Sequence, residues 1–422
     1  MDPYSISLIL AFTTIYVYAL WRGVRGDERV RIYGPAVLVR CKKCIKVMDL
    51  LAKLRIPLLG TTALAFWAAL VAVGTTLLVQ SAIASFSLPP ELAPEPRMLV
   101  GIPVVNPLIP LWYGLTGLIV AVVVHELSHG VALRVHGLDV KSTGLLLMVL
   151  PLGAFVEPGE ELKRAKLVVQ LKVFAAGPFA NTLLAILVMS MLPLALAGVR
   201  PVAAGVGVVG VLPDSPAERA GLKPGVIITS IDGVRVESLD EFLKLMSGRK
   251  AGERVILELH DGVKVDLILD DKYRYTGDLK DRGKGFIGVA LLEPRVLENA
   301  LSPLLNPLAD PLRTLWGLLA IPLTLPVHAL PYLEAFYTSP LGGWQLTYTL
   351  VWIAWMNVAV GLTNALPMVP FDGGNATRVV LDAILQRMPE EERRKAVDAI
   401  LAVLTALIVV LILIPVVVPR LR

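Results

Sequence analysis

The chain has 422 residues, of which 55% are hydrophobic and only 18% are charged, and its mean hydropathy is +0.68. A soluble domain carries roughly 25% charged residues, so this composition excludes disordered, collagen-like and disulfide-scaffold chains and nearly excludes an ordinary cytosolic enzyme. It predicts instead an α-helical polytopic protein of the cell membrane. The net charge of +5 is then a clue to topology, and no nucleic-acid partner is expected.

About six apolar stretches are long enough to cross a bilayer, whose hydrocarbon core of about 30 Å needs roughly 20 helical residues. The first stretch lacks a basic N-terminal region and a cleavage site, so it is interpreted as a retained helix and not as a signal peptide. The predicted transmembrane helices are residues 4–21, 61–86, 105–135, 173–198, 345–366 and 396–418.

The distribution of Lys and Arg predicts the orientation in the membrane. Segment 22–55 carries ten basic and three acidic residues, whereas loop 87–104 carries a single basic residue. Because short cytoplasmic loops are enriched in Lys and Arg, segment 22–55 is predicted inside and loop 87–104 outside. Helix 105–135 then runs toward the cytoplasm, and the chain after helix 173–198 lies outside.

Two apolar segments do not fit a simple crossing. Segment 142–158 is too short and too rich in Gly and Pro, and it is predicted to form a re-entrant hairpin, which survives at depth only when protein covers it. Segment 301–331 contains six prolines, which break or kink helices. It is interpreted as an external or half-inserted segment.

Residues 203–293 have the composition of a soluble insertion, with alternating strand-like runs and turns at Asp232-Gly233 and Asp261-Gly262. Within it, residues 210–233 resemble the PDZ domains that are attached to proteases. Such domains bind C-termini or extended peptides by adding a strand to a sheet edge. The resemblance implies a peptide or C-terminus as partner, and the alternative is a spacer domain without a ligand.

Helix 105–135 contains an HExxH motif formed by His125, Glu126 and His129. Residues four apart share a helical face, so both imidazoles can bind one Zn²⁺ and Glu126 can accept a proton from the metal-bound water. Ionisable groups within a membrane are costly and usually functional. The alternative is a polar cluster that joins helices. If the helix enters near Leu111, His125 lies about 20 Å further along the axis, in the cytoplasmic half of the bilayer.

A catalytic zinc has three protein ligands and one open position. Asp372, in the stretch 364–374, is the preferred third ligand because it follows a span that ends on the side of the metal. Two prolines prevent regular helix there, and Gly373 and Gly374 permit a close turn toward the metal. Glu157 in the hairpin is the second candidate. Alone, Asp372 could simply cap a helix that begins near residue 375.

These motifs together resemble the site-2 protease family of intramembrane zinc metalloproteases. The HExxH motif lies in an apolar helix, Gly177-Pro178-Phe179-Ala180-Asn181 matches a GPxxN pattern, and residues 364–373 match an N-x-x-P-x-x-P-x-D-G pattern in which Phe371 replaces the common Leu. The resemblance implies Zn²⁺ as cofactor. It further implies the following roles: metal ligands His125, His129 and Asp372, catalytic acid/base Glu126, and substrate-binding residues Asn181 and Asn364. For the two asparagines, hydrogen bonding between helices is the alternative.

The predicted function is therefore cleavage of transmembrane protein substrates within the lipid bilayer, with Glu126 moving the proton between water and the leaving amine. The active site would face the cytoplasmic side, and the PDZ-like domain outside would control substrate access, as in regulated intramembrane proteolysis. One alternative is a membrane-anchored PDZ adaptor with a structural or absent metal. Another is a transporter with an intramembrane His/Asp relay.

The only two cysteines, Cys41 and Cys44, lie in the first cytoplasmic loop. They are interpreted as an incidental thiol pair, with redox control or dimer cross-linking as alternatives.

The predicted organisation has five parts. The parts are 1–60 (N-terminal helix and basic loop), 61–200 (core with HExxH helix, hairpin and GPxxN helix), 203–293 (PDZ-like domain), 301–340 (Pro-rich external or half-inserted segment) and 345–422 (core with the Asp-Gly motif and C-terminal helix).

Overall fold

The computed structural model describes residues 3–54, 60–293, 309–321 and 330–421. The chain forms two compact units, of which the first consists of Met1–Val188 with Thr349–Arg422 and the second of Met189–Tyr348. In chain order the helices are α1 (Pro3–Val24), α2 (Lys42–Lys53), α3 (Thr61–Ser85), α4 (Leu111–Val135), α5 (Glu161–Arg164), α6 (Leu167–Ala195), α7 (Pro216–Arg219), α8 (Leu239–Ser247), α9 (Tyr273–Thr276), α10 (Pro311–Leu319), α11 (Leu330–Phe336), α12 (Gly343–Ala365), α13 (Asp372–Ile384) and α14 (Glu390–Val417).

The strands fall into two larger sheets and one short pair. The pair consists of β10 and β11, which are antiparallel. In chain order the strands are β1 (Val30–Tyr33), β2 (Ala36–Arg40), β3 (Val140–Met148), β4 (Leu150–Pro158), β5 (Val206–Val211), β6 (Ile227–Ile231), β7 (Val234–Arg235), β8 (Arg254–Leu259), β9 (Lys264–Ile268), β10 (Asp270–Asp271), β11 (Gly285–Phe286) and β12 (Val289–Leu292).

Among the described residues, five helices are long and apolar enough to cross a membrane, namely α3, α4, α6, α12 and α14. They coincide with five of the predicted spans. The sixth predicted span falls on α1, whose apolar part Ile9–Val24 is shorter. Helix α4 begins at Leu111, six residues later than predicted, because Pro110 occupies the N-cap position with extended backbone.

The first unit contains an antiparallel sheet with the strand order β1-β2-β3-β4. The predicted hairpin at 142–158 is the β3/β4 pair of this sheet. Strands β1 and β2 come from the basic segment 22–55, where no strand is predicted, and β2 pairs with β3 through Val39 and Leu145. On one face the sheet packs on α1, where Ala19, Val37 and Leu147 form a buried cluster. Strand β4 lies at one edge of the sheet.

Cys41 follows β2 directly and caps the N-terminus of α2. The sulfurs of Cys41 and Cys44 form a disulfide, with a Cα–Cα distance of 5.4 Å. The interpretation as an incidental thiol pair is therefore wrong. The physical reason is that the first turn of a helix brings residues three apart within bonding distance. The bridge closes one helical turn and does not join distant segments.

Helix α2 packs against α4, the helix that carries the HExxH motif. Met48 is 2% exposed and lies directly against Gly130, where a Cβ atom would be 2.7 Å from the Met48 Cε atom. Arg134 in α4 donates from Nε to Asp49 Oδ1 at 2.5 Å. Together these contacts fix the end of α4 that follows His129.

The second unit is built on a sheet with the strand order β12-β5-β6-β8-β9, and β7 pairs with β6. Strands β5 and β8 are two of the strand-like runs predicted within residues 203–293. Buried Val208, Ile228 and Leu257 lie in its core. Ser238 precedes helix α8, and its side chain accepts a hydrogen bond from Glu241 N, as is typical of a helix N-cap.

The predicted Pro-rich segment 301–340 is described only in part. Helices α10 and α11 belong to it, whereas 294–308 and 322–329 lie outside the described residues. Helix α11 packs on β5 within the second unit: the Tyr332 hydroxyl donates to Val209 O at 2.6 Å, and Phe336 covers Gly207. Whether the segment enters a membrane therefore stays a prediction.

Candidate metal centre and active site

The two histidines of the HExxH motif lie side by side on α4. Their ring centroids are 4.8 Å apart, and His125 and His129 are 5% and 8% exposed. This arrangement follows from the helical repeat, which places residues four apart on one face. Both Nε2 atoms point to the same place, where a carboxylate from α13 meets them.

Asp372, the first residue of α13, supplies that carboxylate. Its Oδ2 atom lies 2.8 Å from His125 Nε2 and 3.0 Å from His129 Nε2. The candidate ligand atoms of the three residues all lie within 4.8 Å of one another, and no other group of His, Cys, Asp or Glu in the described residues meets this criterion. The structure therefore brings together all three residues that the sequence predicts as metal ligands.

The turn before α13 aims Asp372 at the histidines. A Cβ atom at Gly373 would collide with the carbonyl oxygens of Ala365 and Leu366, and one at Gly374 would lie 2.5 Å from Met368 O. Only glycine permits this close approach of α13 to the preceding chain. The two glycines thus hold Asp372 where the predicted close turn requires it.

Each imidazole is also held through its second nitrogen. His125 Nδ1 lies 2.6 Å from Asn181 Oδ1, and His129 Nδ1 lies 2.7 Å from Val173 O. The Asn181 amide nitrogen donates to Ala121 O and to Asn357 Oδ1, both at 2.8 Å, so its oxygen is the atom left to accept from His125. Both histidines therefore carry their proton on Nδ1 and present Nε2 as a ligand.

Asn357 is a member of this network that is not predicted from the sequence. It is fully buried, and its amide nitrogen donates to Ile353 O in its own helix. Its carbonyl oxygen accepts from Asn181 and so fixes the orientation of that amide. An Asn in an apolar helix is the available signal, because a polar group at such a position needs a partner.

Gly177, at the start of the GPxxN stretch, lets α6 approach the metal centre. A Cβ atom there would lie 2.5 Å from His129 Nε2 and 2.6 Å from His125 Nε2. Any larger residue at this position would occupy the space in front of the ligand atoms. The requirement for glycine thus comes from the site itself and not from a turn.

Glu126 lies between the metal centre and the sheet of the first unit. Its carboxylate lies near the backbone N–H of Val156 in β4 and within electrostatic range of His125, His129 and Asp372. Among the described residues β4 is the edge strand of the sheet. Val156 pairs with Thr143, whose carbonyl oxygen accepts from Cys41 N on the β2 side, so the Val156 N–H points away from β3, toward the edge. The catalytic candidate is thus next to an unpaired strand edge.

Other residues considered from the sequence lie elsewhere. The Asn364 amide donates to Val360 O within its own helix at 2.9 Å, a contact that fits a role in the helix. Glu157 is exposed and accepts from the Ser142 hydroxyl at 2.7 Å. It does not belong to the cluster of ligands.

The three donors match a catalytic zinc site. Two imidazole nitrogens and one carboxylate oxygen suit Zn²⁺, and a set of three protein ligands leaves one position for water or substrate. Closed structural zinc sites have four protein ligands, and no fourth donor from the described residues joins this cluster.

Comparison with known proteins agrees with this site. The profile of peptidase family M50 matches residues 113–411, which contain the complete cluster. An uncharacterised protein of Methanocaldococcus jannaschii is 26% identical over 378 residues, covering 88% of this chain and 84% of that protein.

Two bacterial relatives bear the name of a candidate zinc metalloprotease. The protein from Mesorhizobium japonicum is 27% identical over 246 residues, which are 52% of this chain and 62% of that protein. The protein from Clostridium perfringens is 26% identical over 299 residues, which are 66% of this chain and 83% of that protein.

Proposed function

The chain belongs to peptidase family M50, the site-2 protease family, and from this membership we propose that it cleaves transmembrane segments of other membrane proteins. The family, the apolar helices and the His–His–Asp cluster together support a multi-pass membrane metalloprotease that uses Zn²⁺. The observation that carries the finer proposal is the position of Glu126, beside the three ligands and beside the free edge of β4.

The residues of the site have distinct tasks in the proposed reaction. Zn²⁺ bound by His125, His129 and Asp372 would polarise the peptide carbonyl and lower the pKa of water for attack at neutral pH. Glu126 accepts the proton from the attacking water and passes it to the leaving amide nitrogen. Asn181 holds the His125 ring through the 2.6 Å contact and so acts on the reaction through a ligand. Asn364 is proposed to bind substrate further from the metal.

A substrate helix hides its carbonyl groups in its own hydrogen bonds, so it must unwind before hydrolysis. The free edge of β4 offers N–H and C=O groups to an extended segment, which would then lie beside Glu126. In a membrane this matters more than in water, because lipid cannot satisfy a freed backbone group. We therefore assign β4 the role of binding the unwound substrate.

The sheet domain of the second unit is proposed to act as a PDZ-like domain outside the membrane that controls access. What supports a peptide-binding role is a cavity of about 420 Å³ between α8 and β12, lined by Phe242, Met246 and Leu291 among others. Strand β12 lies at the sheet edge, so an extended peptide could pair with it. The active site would then face the cytoplasm, as the basic segment 22–55 predicts.

Substitution of Glu126 by Gln tests the proposal. The variant should retain zinc and fold, and cleavage of a membrane substrate in detergent or proteoliposomes should fall by about 10²–10⁴-fold, the usual contribution of a general acid/base. Glu160→Gln is the matched control, because that exposed carboxylate pairs only with Lys141 and Lys163 among the described residues. Unchanged cleavage by the Glu126 variant, at full zinc content, would contradict the proposed mechanism.

A further inference from the structure

An apolar cavity of about 440 Å³ lies between α1, α4 and the sheet of the first unit. Its walls come from α1 (Phe12, Ile15), from α4 (Leu118, Val122) and from the β3/β4 hairpin (Leu145, Gly153). The cavity is thus lined by elements that also build the candidate active site. The proposed reaction leaves it without a role.

A second, polar cavity of about 640 Å³ adjoins the first. The two share Asp27, Arg29, Val30 and Arg40 in their walls, so they meet at these residues. Beyond them the polar cavity is lined by further cations, including Lys42 and Lys141, and by the carboxylates Glu28 and Glu157. The combined space is therefore apolar at one end and charged, with an excess of cations, at the other.

The cations at this junction, Arg29 and Arg40, form no side-chain ion pair with the described part of the protein. Asp27 is engaged by Arg22, whose Nε atom donates to it at 2.8 Å. Neither Arg29 nor Arg40 makes a side-chain ion pair with any residue that the structure describes, and the Arg40 Nε atom is buried without a hydrogen-bond partner there. An unsatisfied buried donor on a charged group is costly, which points to an anionic ligand.

We propose that this space binds one anionic phospholipid, with its phosphate on Arg29 and Arg40 and one acyl chain in the apolar cavity. The volume of the apolar cavity lies within the range of small-ligand sites, roughly 300–1,000 Å³. A transmembrane helix about 10 Å wide and 30 Å long needs about 2,000 Å³, so the cavity does not fit a substrate helix. Guanidinium groups form bidentate hydrogen bonds with phosphate. A zwitterionic headgroup offers the same phosphate but carries no net negative charge, so the unpaired cations favour an anionic lipid.

The position of the acyl chain links this lipid to catalysis. Val122 in the cavity wall precedes Glu126 by four residues and therefore shares its helical face. Gly153 in the opposite wall belongs to β4, whose Val156 N–H lies near the Glu126 carboxylate. The bound lipid thus supports both elements that position Glu126.

Native mass spectrometry of the full chain in detergent tests the proposal. The protein is titrated separately with palmitoyl-oleoyl phosphatidylglycerol, with the matched phosphatidylcholine and with inorganic phosphate. Arg40→Gln removes one of the two cations at the junction. Gly153→Leu fills the cavity, since a Cβ atom at Gly153 meets no atom within 4 Å. Arg164→Gln is the control, as it removes one positive charge that lines neither cavity.

We expect one equivalent of phosphatidylglycerol to be retained, with Arg40→Gln and Gly153→Leu each weakening it at least about tenfold and Arg164→Gln leaving it unchanged. Equal binding of phosphatidylcholine by the unmodified protein would overturn the proposal, and so would binding of inorganic phosphate as tight as that of the lipid. An equal loss for Arg40→Gln and Arg164→Gln would also overturn it, because general surface charge would then explain the selectivity. These readouts do not depend on proteolysis.

Discussion

The close approach of α6 to the metal centre gives a sharp test of the site. Gly177→Ala would place a methyl carbon 2.5 Å from His129 Nε2 and 2.6 Å from His125 Nε2. Optimal contacts of such atoms are about 3.5–4.0 Å, so the rings or the helix must move by about 1 Å. Metal–ligand distances tolerate only about 0.2 Å. The substitution therefore disturbs two ligands at once.

The effects on folding and on metal binding should differ in size. Alanine is favoured over glycine in a helix by about 1 kcal/mol, whereas overpacking of a filled interior costs about 1–3 kcal/mol. The net change in the free energy of unfolding of the metal-free protein should then be a loss of about 0–2 kcal/mol. Zinc affinity should fall by more than the roughly 10–100-fold seen when a partner of a metal ligand is lost.

Zinc content after dialysis against a chelator, together with the thermal unfolding midpoint, measures both quantities. Gly361→Ala is the matched control, because a Cβ atom there meets the same helix α6 at 3.3 Å from Pro178 O and 3.4 Å from Asn181 Cβ, away from the imidazoles. The control should retain zinc. If Gly177→Ala bound zinc and cleaved substrate as the unmodified protein does, the close convergence of α4 and α6 at the metal centre would be refuted.

Three further tests probe other contacts. Asn181→Leu removes the acceptor that orients His125 and should weaken zinc binding about 10–100-fold in a competition assay with a chelating dye. In the second unit, burial acts to raise the pKa of Asp270, but Tyr275 and Arg219 outweigh it and lower the pKa below its ordinary value. Asp270 therefore stabilises the folded state at neutral pH and loses this effect as the pH falls below about 4, so Asp270→Asn should flatten the acid dependence of amide exchange in this unit. Gly130→Ala should be destabilising, and the added substitution Met48→Ala should relieve the clash, giving a non-additive double-mutant cycle in chemical denaturation.

The grouping of the candidate metal ligands is largely predictable because part of it follows from local periodicity. A spacing of four residues places His125 and His129 on one face in any α-helix. Asp372 is predictable as a candidate because the glycines after it indicate an unusual backbone approach, which the contacts of Gly373 with the preceding carbonyls explain. What the spacing cannot supply is the choice between Asp372 and Glu157, which depends on how distant segments pack.

The features that the sequence does not predict depend on contacts between residues that are far apart in the chain, or on local backbone geometry that residue composition does not indicate. Strand β2 is short and lies in a basic segment, and its pairing partner Leu145 is more than 100 residues from Val39. Asn357 is one polar residue in an apolar helix. Its role in the site depends on the hydrogen bond that it accepts from Asn181 in another helix, which the sequence does not show. The disulfide between residues 41 and 44 escapes a prediction that weighs the expected compartment above the geometry of a helical turn.

The small residues explain why three separate apolar helices can share one site. Lipid provides no hydrophobic drive for helix association, so close packing and interhelical hydrogen bonds must hold the helices together. Gly117 allows α12 to pack closely against α4, because a Cβ atom at this position would lie 2.6 Å from Trp352 O. Gly177 allows α6 to pack closely against the same helix. The hydrogen bonds of Asn181 to Ala121 O and Asn357 then join all three helices at the depth of His125. The network that orients a metal ligand is therefore also the network that holds the helix core together, and substitutions there should alter metal affinity and helix packing as one coupled quantity.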